Sequence, residues 1–117
     1  MKKKEIVKTE REFVSIINNG FCIKNRYYVI HFKDNDLSYD RYGISVSKKL
    51  GNAVFRNKYK RKLRAIIDNY KKNYINCKDY IIILRKEAID KPYALLEQEF
   101  FALMNKQEKG TTNEKNE

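Results

Sequence analysis

The chain has 117 residues, 42% of them hydrophobic, which suits one domain with a modest core. Its 26 Lys and Arg against 15 Asp and Glu give a formal net charge of +11 and call for a polyanionic partner, nucleic acid or an acidic membrane surface. No apolar run is long enough for a spanning helix, and Glu5, Glu10 and Glu12 stand where an export signal would be apolar, so a cytoplasmic protein without a membrane partner is expected.

Thr9-Glu10-Arg11-Glu12 has capping-box spacing, and Phe13, Ile16 and Ile17 follow at helical spacing, which predicts a short helix over 10–18 closed by Asn19-Gly20. FCI, RYYVIHF (26–32) and RYGISVS (41–47) are aromatic or β-branched and read as three strands. The turn-prone DNDLSYD between the last two suggests that they form a hairpin. Asn52 can cap a long helix reaching to about 74, on which Phe55, Tyr59, Leu63, Ile66, Ile67, Tyr70 and Tyr74 fall within one arc of roughly 120°. That arc must pack on the sheet, with Asn57, Lys60, Arg61, Arg64, Lys71 and Lys72 opposite and Arg56 at its edge. KDYIIILR (78–85) is a nearly unbroken apolar run, as an internal strand covered on both faces requires. Asp90 is the expected cap of a last helix with Pro92 in its first turn and Leu96, Phe100, Leu103 and Met104 on one face. The predicted order is α-β-β-β-α-β-α, an α+β sandwich of ribosomal-protein type with a four-stranded mixed sheet. Residues 1–107 form the single domain, and 108–117 are a disordered polar tail. Strand 41–47, the long helix and strand 78–85 make a βαβ unit, for which a right-handed crossover is the general default.

Catalytic groups are scarce. His31 is the only histidine, so a two-imidazole ribonuclease mechanism has no second partner, and a strand histidine is ordinarily a packed residue. Asp34, Asp36 and Asp40 share a turn, but Tyr39 and Ser45 stand where a calcium loop needs Gly and Glu. Cys22 and Cys77 lie 55 positions apart with no metal-ligand spacing and read as buried free thiols. No phosphate-binding Gly-rich loop or nucleophile elbow is present. No catalytic or metal-ligating residue is therefore assigned to the polypeptide.

GNAVFRNKYKRKLR (51–64) carries six cations and no carboxylate from Arg56 onward. Most charge runs on helices are simply solvated faces. A helix charged only for solubility gains from mixing Glu with Lys at i,i+4, whereas Arg56, Lys60 and Arg64 repel one another, and cations near a helix start oppose its dipole. Phosphates would offset both costs, with forks from Arg56, Arg61 and Arg64 and point charges from Lys58, Lys60 and Lys62. The aromatics Phe13, Tyr27, Tyr28, Phe32, Tyr39 and Tyr42 lie on or near the sheet, where exposed rings can stack unpaired bases, although at least half of them belong to the core. Strand parity puts Tyr28, Ile30 and Phe32 on one face and Tyr27, Val29 and His31 on the other. If the first set packs on helices, the second is open to a ligand, bordered by Phe13 and Ile17.

GISVSKKLGNAVFRNKYKRKLR resembles the signature of the protein subunit of bacterial ribonuclease P: a strand ending Ser-x-Ser-Lys-Lys, then Gly-Asn-Ala-Val, then Arg-Asn-Arg and further cations on a helix. The likeness covers about residues 8–105, with Lys58 in place of the second arginine. It implies that a separate RNA subunit is the catalyst, holding the magnesium that activates water to remove the 5′ leader from precursor tRNA. It implies that Asn52, Arg56, Asn57, Lys58, Lys60, Arg61, Lys62 and Arg64 contact that RNA. It places the single-stranded leader in a cleft at Phe13, Ile17, Val29 and His31, rimmed by Ser45, Ser47, Lys48 and Lys49, with Ile17 and His31 standing where aromatics are common. It also implies a left-handed βαβ crossover, preferred here over the general default, and RNA rather than DNA partners, which phosphate contacts alone do not distinguish. The alternative is a non-catalytic RNA-binding protein of ribosomal type; a membrane-surface protein is disfavoured because the core needs the long helix's apolar arc.

Overall fold

A computed structural model describes residues 1–110, with side chains through 106. The Thr9 hydroxyl accepts the Glu12 N–H at 3.1 Å while Glu12 accepts the Thr9 N–H at 3.3 Å, so the capping box starts α1 (Glu10–Asn19) as expected. Three strands follow, β1 (Phe21–Lys24), β2 (Tyr28–Asp34) and β3 (Arg41–Ser45). The Asn52 side chain accepts the Phe55 N–H at 2.9 Å and opens α2 (Ala53–Lys71). β4 (Lys78–Leu84) and α3 (Tyr93–Gly110) complete the α-β-β-β-α-β-α order of a single α+β domain. α2 stops short of Tyr74, yet that ring still stacks on Tyr70 with centroids 4.5 Å apart. The polar tail expected from Glu108 lies, beyond Gly110, outside the described residues. No helix among the described residues is long and apolar enough to cross a membrane.

The strands lie in the order β1-β2-β4-β3, antiparallel except for the parallel β3–β4 pair that α2 bridges. The hairpin expected between β2 and β3 is therefore absent: β2 hairpins with β1, and β4 sits between β2 and β3. The cause is the turn after β2, whose polar groups engage the entrance to β4. The buried Asp40 carboxylate accepts the N–H groups of Asn76 (3.0 Å) and Lys78 (2.7 Å), and the Asn35 N–H donates to the Cys77 carbonyl. The central slot also suits β4, whose Tyr80, Ile81 and Ile82 are fully buried; on an edge, that run would leave its backbone donors and apolar side chains in water. Asp90 does not cap α3. Its φ of 67° is left-handed, unlike the extended cap conformation, and its N–H donates to the Tyr59 hydroxyl, while the Pro92 carbonyl accepts from Leu95 and Leu96. Cys22 and Cys77 are half-buried rather than buried, and no disulfide joins them.

One face of the sheet carries the main core. Tyr28, Ile30 and Phe32 pack there with Tyr59, Leu63, Ile66, Ile67 and Tyr70 of α2 and Leu96, Phe100, Leu103 and Met104 of α3. Each large apolar side chain buried this way contributes about 1.5–3 kcal/mol. The other face has α1 alone, with Ile16 packed on Ile81 and Val7, so part of it stays open.

Two carboxylates tie outlying segments to this frame. Burial pushes Glu5 up, but the Lys71 ammonium and the Lys2 N–H outweigh it and leave the carboxyl below its ordinary value. Arg41 holds Glu12 down by a hydrogen bond of 2.9 Å, against a smaller upward push from burial. A group with a depressed folded pKa stabilises fully above its unfolded value and loses that contribution as pH falls through the folded one. The melting temperature should therefore drop as pH is lowered below the 4.5 of an ordinary glutamate, and less so for Glu5→Gln; thermal melts across that range that coincide for both proteins would contradict the assignment.

Candidate nucleic-acid interface

Packing the apolar arc of α2 turns its cations outward. Asn57, Lys58, Arg61 and Arg64 are exposed, and Arg56, Lys60 and Lys62 are half-buried. Among the described residues, none of the six cations from Arg56 to Arg64 forms an ion pair. Arg56 donates instead to the Gly51 carbonyl at 3.3 Å, and the Lys62 ammonium lies 4.7 Å from the centre of the Tyr59 ring. Asn52 spends its side-chain oxygen on the cap, so its first task is to start the helix. Ser47 does the same for the turn at Lys48–Leu50, accepting the Lys49 N–H at 3.2 Å and leaving Lys48 and Lys49 exposed.

The strand register fixes what shares the open face. Lys24, Val29, Ile83 and Ser45 lie side by side across the four strands, and Cys22, His31, Ile81 and Gly43 form the next row. Over that second row runs α1, seating Ile16 on Ile81 and the Phe13 ring against Gly43. Phe13, Val29, His31 and Ser45 are thus brought to one face, with Ser47, Lys48 and Lys49 continuing from the end of β3. Ile17 is 39% exposed, an apolar side chain on α1 that the core does not absorb. Burial lowers the pKa of half-buried His31, which keeps its imidazole neutral near physiological pH.

Tyr27, expected on the open face with Val29 and His31, lies before the start of β2 and is half-buried against the main core instead, and other rings named from the sequence are not available for stacking. Tyr28, Phe32 and Tyr42 are fully buried, Tyr42 stacked on Tyr80 at 5.0 Å, and the Lys4 ammonium already covers Tyr39 at 4.5 Å. Two residues of the face were missed. Ile83 stands between Val29 and Ser45, its parity hidden in the continuous apolar run of β4, and Gly43 matters only because Phe13 lies over it. The turn acids offer little to a metal: Asp34 pairs with Lys78 at 2.6 Å and Asp40 is spent on backbone. Among the described residues, no three His, Cys, Asp or Glu side chains are grouped to hold an ion.

The cationic helix and the open face meet. At the outer edge of β3 a recess of about 130 Å³ is lined by Phe13 and Gly43 of the open face, by Ile44 of the core-facing side, by Ile6 and Val7 of the N-terminal segment, and by Lys60 and Arg64 of α2. Phosphate and base could therefore be met in one place, by charge and by an aromatic ring.

Such a build, one small α+β domain with a helix whose cations from Arg56 to Arg64 are unpaired among the described residues beside a half-covered sheet, suits a polyanionic partner. The family model described as Ribonuclease P matches residues 1–108, and the chain belongs to that family. Similar proteins include the ribonuclease P protein component of Mycoplasma mycoides, 46% identical over 105 residues covering 89% of this chain and 96% of that protein. That of Streptococcus pneumoniae is 42% identical over 98 residues, 84% and 80% of the two chains. Among solved structures, a Staphylococcus aureus RNase P protein mutant with defective mRNA degradation activity superposes with a TM-score of 0.84 at 34% identity, over 91% and 90% of the chains. The Thermotoga maritima RNase P protein gives 0.79 at 30%, over 85% and 94%.

A Cβ at Gly43 would lie 2.6 Å from Phe13 Cζ and 3.0 Å from Ile81 Cδ1. Gly43→Ala should destabilise the domain by about 1–3 kcal/mol through overpacking. Urea denaturation checks this, and an unchanged midpoint would mean that Phe13 is not seated there.

Proposed function

We propose that the chain is the protein component of a cytoplasmic ribonucleoprotein ribonuclease P, binding a catalytic RNA through α2 and the single-stranded 5′ leader of precursor tRNA through the open sheet face. The observation that carries this reading is the recess lined by Phe13, Lys60 and Arg64, on a helix whose cations from Arg56 to Arg64 have no carboxylate partner among the described residues.

Each part of the surface has a distinct task. Arg56, Arg61 and Arg64 grip phosphates as forks and Lys58, Lys60 and Lys62 as point charges, and Asn57 adds an amide at the exposed start of the helix. Lys58 gives charge without a bidentate grip. In the cleft, Phe13 stacks a base, Val29, Ile83 and Ile17 supply apolar floor and wall, and neutral His31 offers a hydrogen bond. Ser45, Ser47, Lys48 and Lys49 face the backbone of the bound strand from the rim. Such contacts tolerate any sequence, as a leader of variable sequence requires. Magnesium supplies the activated water when held by the RNA; the protein's outward cations do not suit a divalent ion, and their part is to relieve repulsion between two RNA backbones.

Mixing the protein with a bacterial ribonuclease P RNA and precursor tRNA at low magnesium should restore cleavage, with none by the protein alone. Cleavage by the purified polypeptide, or no rescue, would overturn the proposal. Phe13→Ala should erode the preference for leader-bearing over mature tRNA by about 1–3 kcal/mol, one stacking contact, as read by competitive binding. Equal loss for both tRNAs would count against the leader cleft.

A further inference from the structure

The side of α1 turned away from the cleft carries an ionic contact that the proposed function does not use. Asp79 enters β4 with its side chain only 4% exposed, and a carboxylate that deep needs a charged or hydrogen-bonded partner. Arg41, its neighbour in register on β3, supplies a fork: Nε donates to Oδ1 at 2.9 Å and Nη2 to Oδ2 at 2.7 Å. Asn35 Nδ2 adds a third donor to Oδ1 at 2.9 Å. The remaining nitrogen of the fork, Nη1, reaches upward to Glu12 Oε2 at 2.9 Å. One guanidinium therefore joins the floor of the sheet to the first turn of the helix above it.

Glu12 directly precedes Phe13, the ring over Gly43, and its other oxygen completes the capping box with Thr9. One turn further along, Lys33 of β2 donates to Ser15 at 3.0 Å, so two polar ties fix the same side of α1. The opposite side rests on Ile16 and on the Phe13 ring, and Ile17 beyond them is exposed. A helix held along one side tilts about that line, and the tilt sets how high the ring stands above the cleft floor.

We infer that Arg41 is a positioning residue, fixing the depth of the cleft at Phe13 by holding Glu12 and Asp79 on one planar fork. Lysine would not replace it, because a single ammonium cannot present a bidentate face to one carboxylate and a third donor to another. The consequence for binding rests on the reading of this cleft as the leader site: a wall set before the RNA arrives spares the cost of ordering it on binding.

Arg41→Lys and Glu12→Gln test the clamp, with Thr9→Ala as the control that weakens the helix cap and leaves the fork intact. Two quantities are read in each: the nuclear Overhauser contact between the Phe13 ring and Gly43 Hα, and the ratio of affinities for leader-bearing and mature tRNA. Arg41→Lys should weaken the contact and lower the ratio about fivefold to tenfold, as misplacing one stacking ring would. Glu12→Gln, which keeps the Asp79 fork, should do the same to a smaller degree. Thr9→Ala should lower the melting temperature and leave the ratio alone. The inference is overturned if Arg41→Lys retains the ring contact, or if Thr9→Ala lowers the ratio as much as Arg41→Lys at equal loss of stability. If the unaltered protein shows no leader preference, the leader reading fails, and the ring contact still decides the clamp.

Discussion

Everything at the surface of this protein follows from the double duty of α2. Tyr59, Leu63, Ile66, Ile67 and Tyr70 must face the sheet to close the main core, and that demand fixes the helix rotation to within a few tens of degrees. Once it is fixed, Arg61 and Arg64 have nowhere to point but outward, and Lys60 nowhere but the β3 edge. The apolar arc therefore aims the charges, and a polyanion is the kind of partner that would offset the repulsion among them.

The sheet makes the second half of the surface by being covered unequally. Two helices bury one face, and the short α1 alone lies on the other, so the row Lys24, Val29, Ile83 and Ser45 is left beside it. Because β3 is an edge strand, the open face and the cationic helix come together around its rim, where Phe13, Lys60 and Arg64 share one recess. A groove between an apolar floor and a line of cations fits the geometry of a single strand, whose bases and phosphates present opposite characters on opposite sides.

How much of this the sequence disclosed depends on the range of the interactions involved. The capping box at Thr9, the cap at Asn52, the apolar arc of α2 and the internal character of β4 are local signals, and each is found where its residues placed it. The parity of Tyr28, Ile30 and Phe32 against Val29 and His31 likewise separates the buried from the half-buried positions. Pairing was less legible: the turn at 35–40 resembles a hairpin turn, and only contacts made some 36 to 38 positions away, from Asp40 to Asn76 and Lys78, divert it to β4. Asp90 looked like a cap because its side chain suits one, yet its backbone is left-handed and its N–H is held by Tyr59 across 31 positions. Ile83, Gly43 and the Arg41 fork acquire meaning only when α1 is laid on the sheet, which no periodicity within a single segment announces.

The central claim is that the α2 cations from Arg56 to Arg64, unpaired among the described residues, await a nucleic-acid backbone, and the salt dependence of binding tests it most directly. The affinity for a bacterial ribonuclease P RNA should fall linearly on a log–log scale with salt concentration, and the slope should become shallower by about 0.7 to 0.9 for each α2 cation neutralised. An affinity indifferent to salt, or a slope unchanged when Arg61 and Arg64 are both replaced by alanine, would contradict the account.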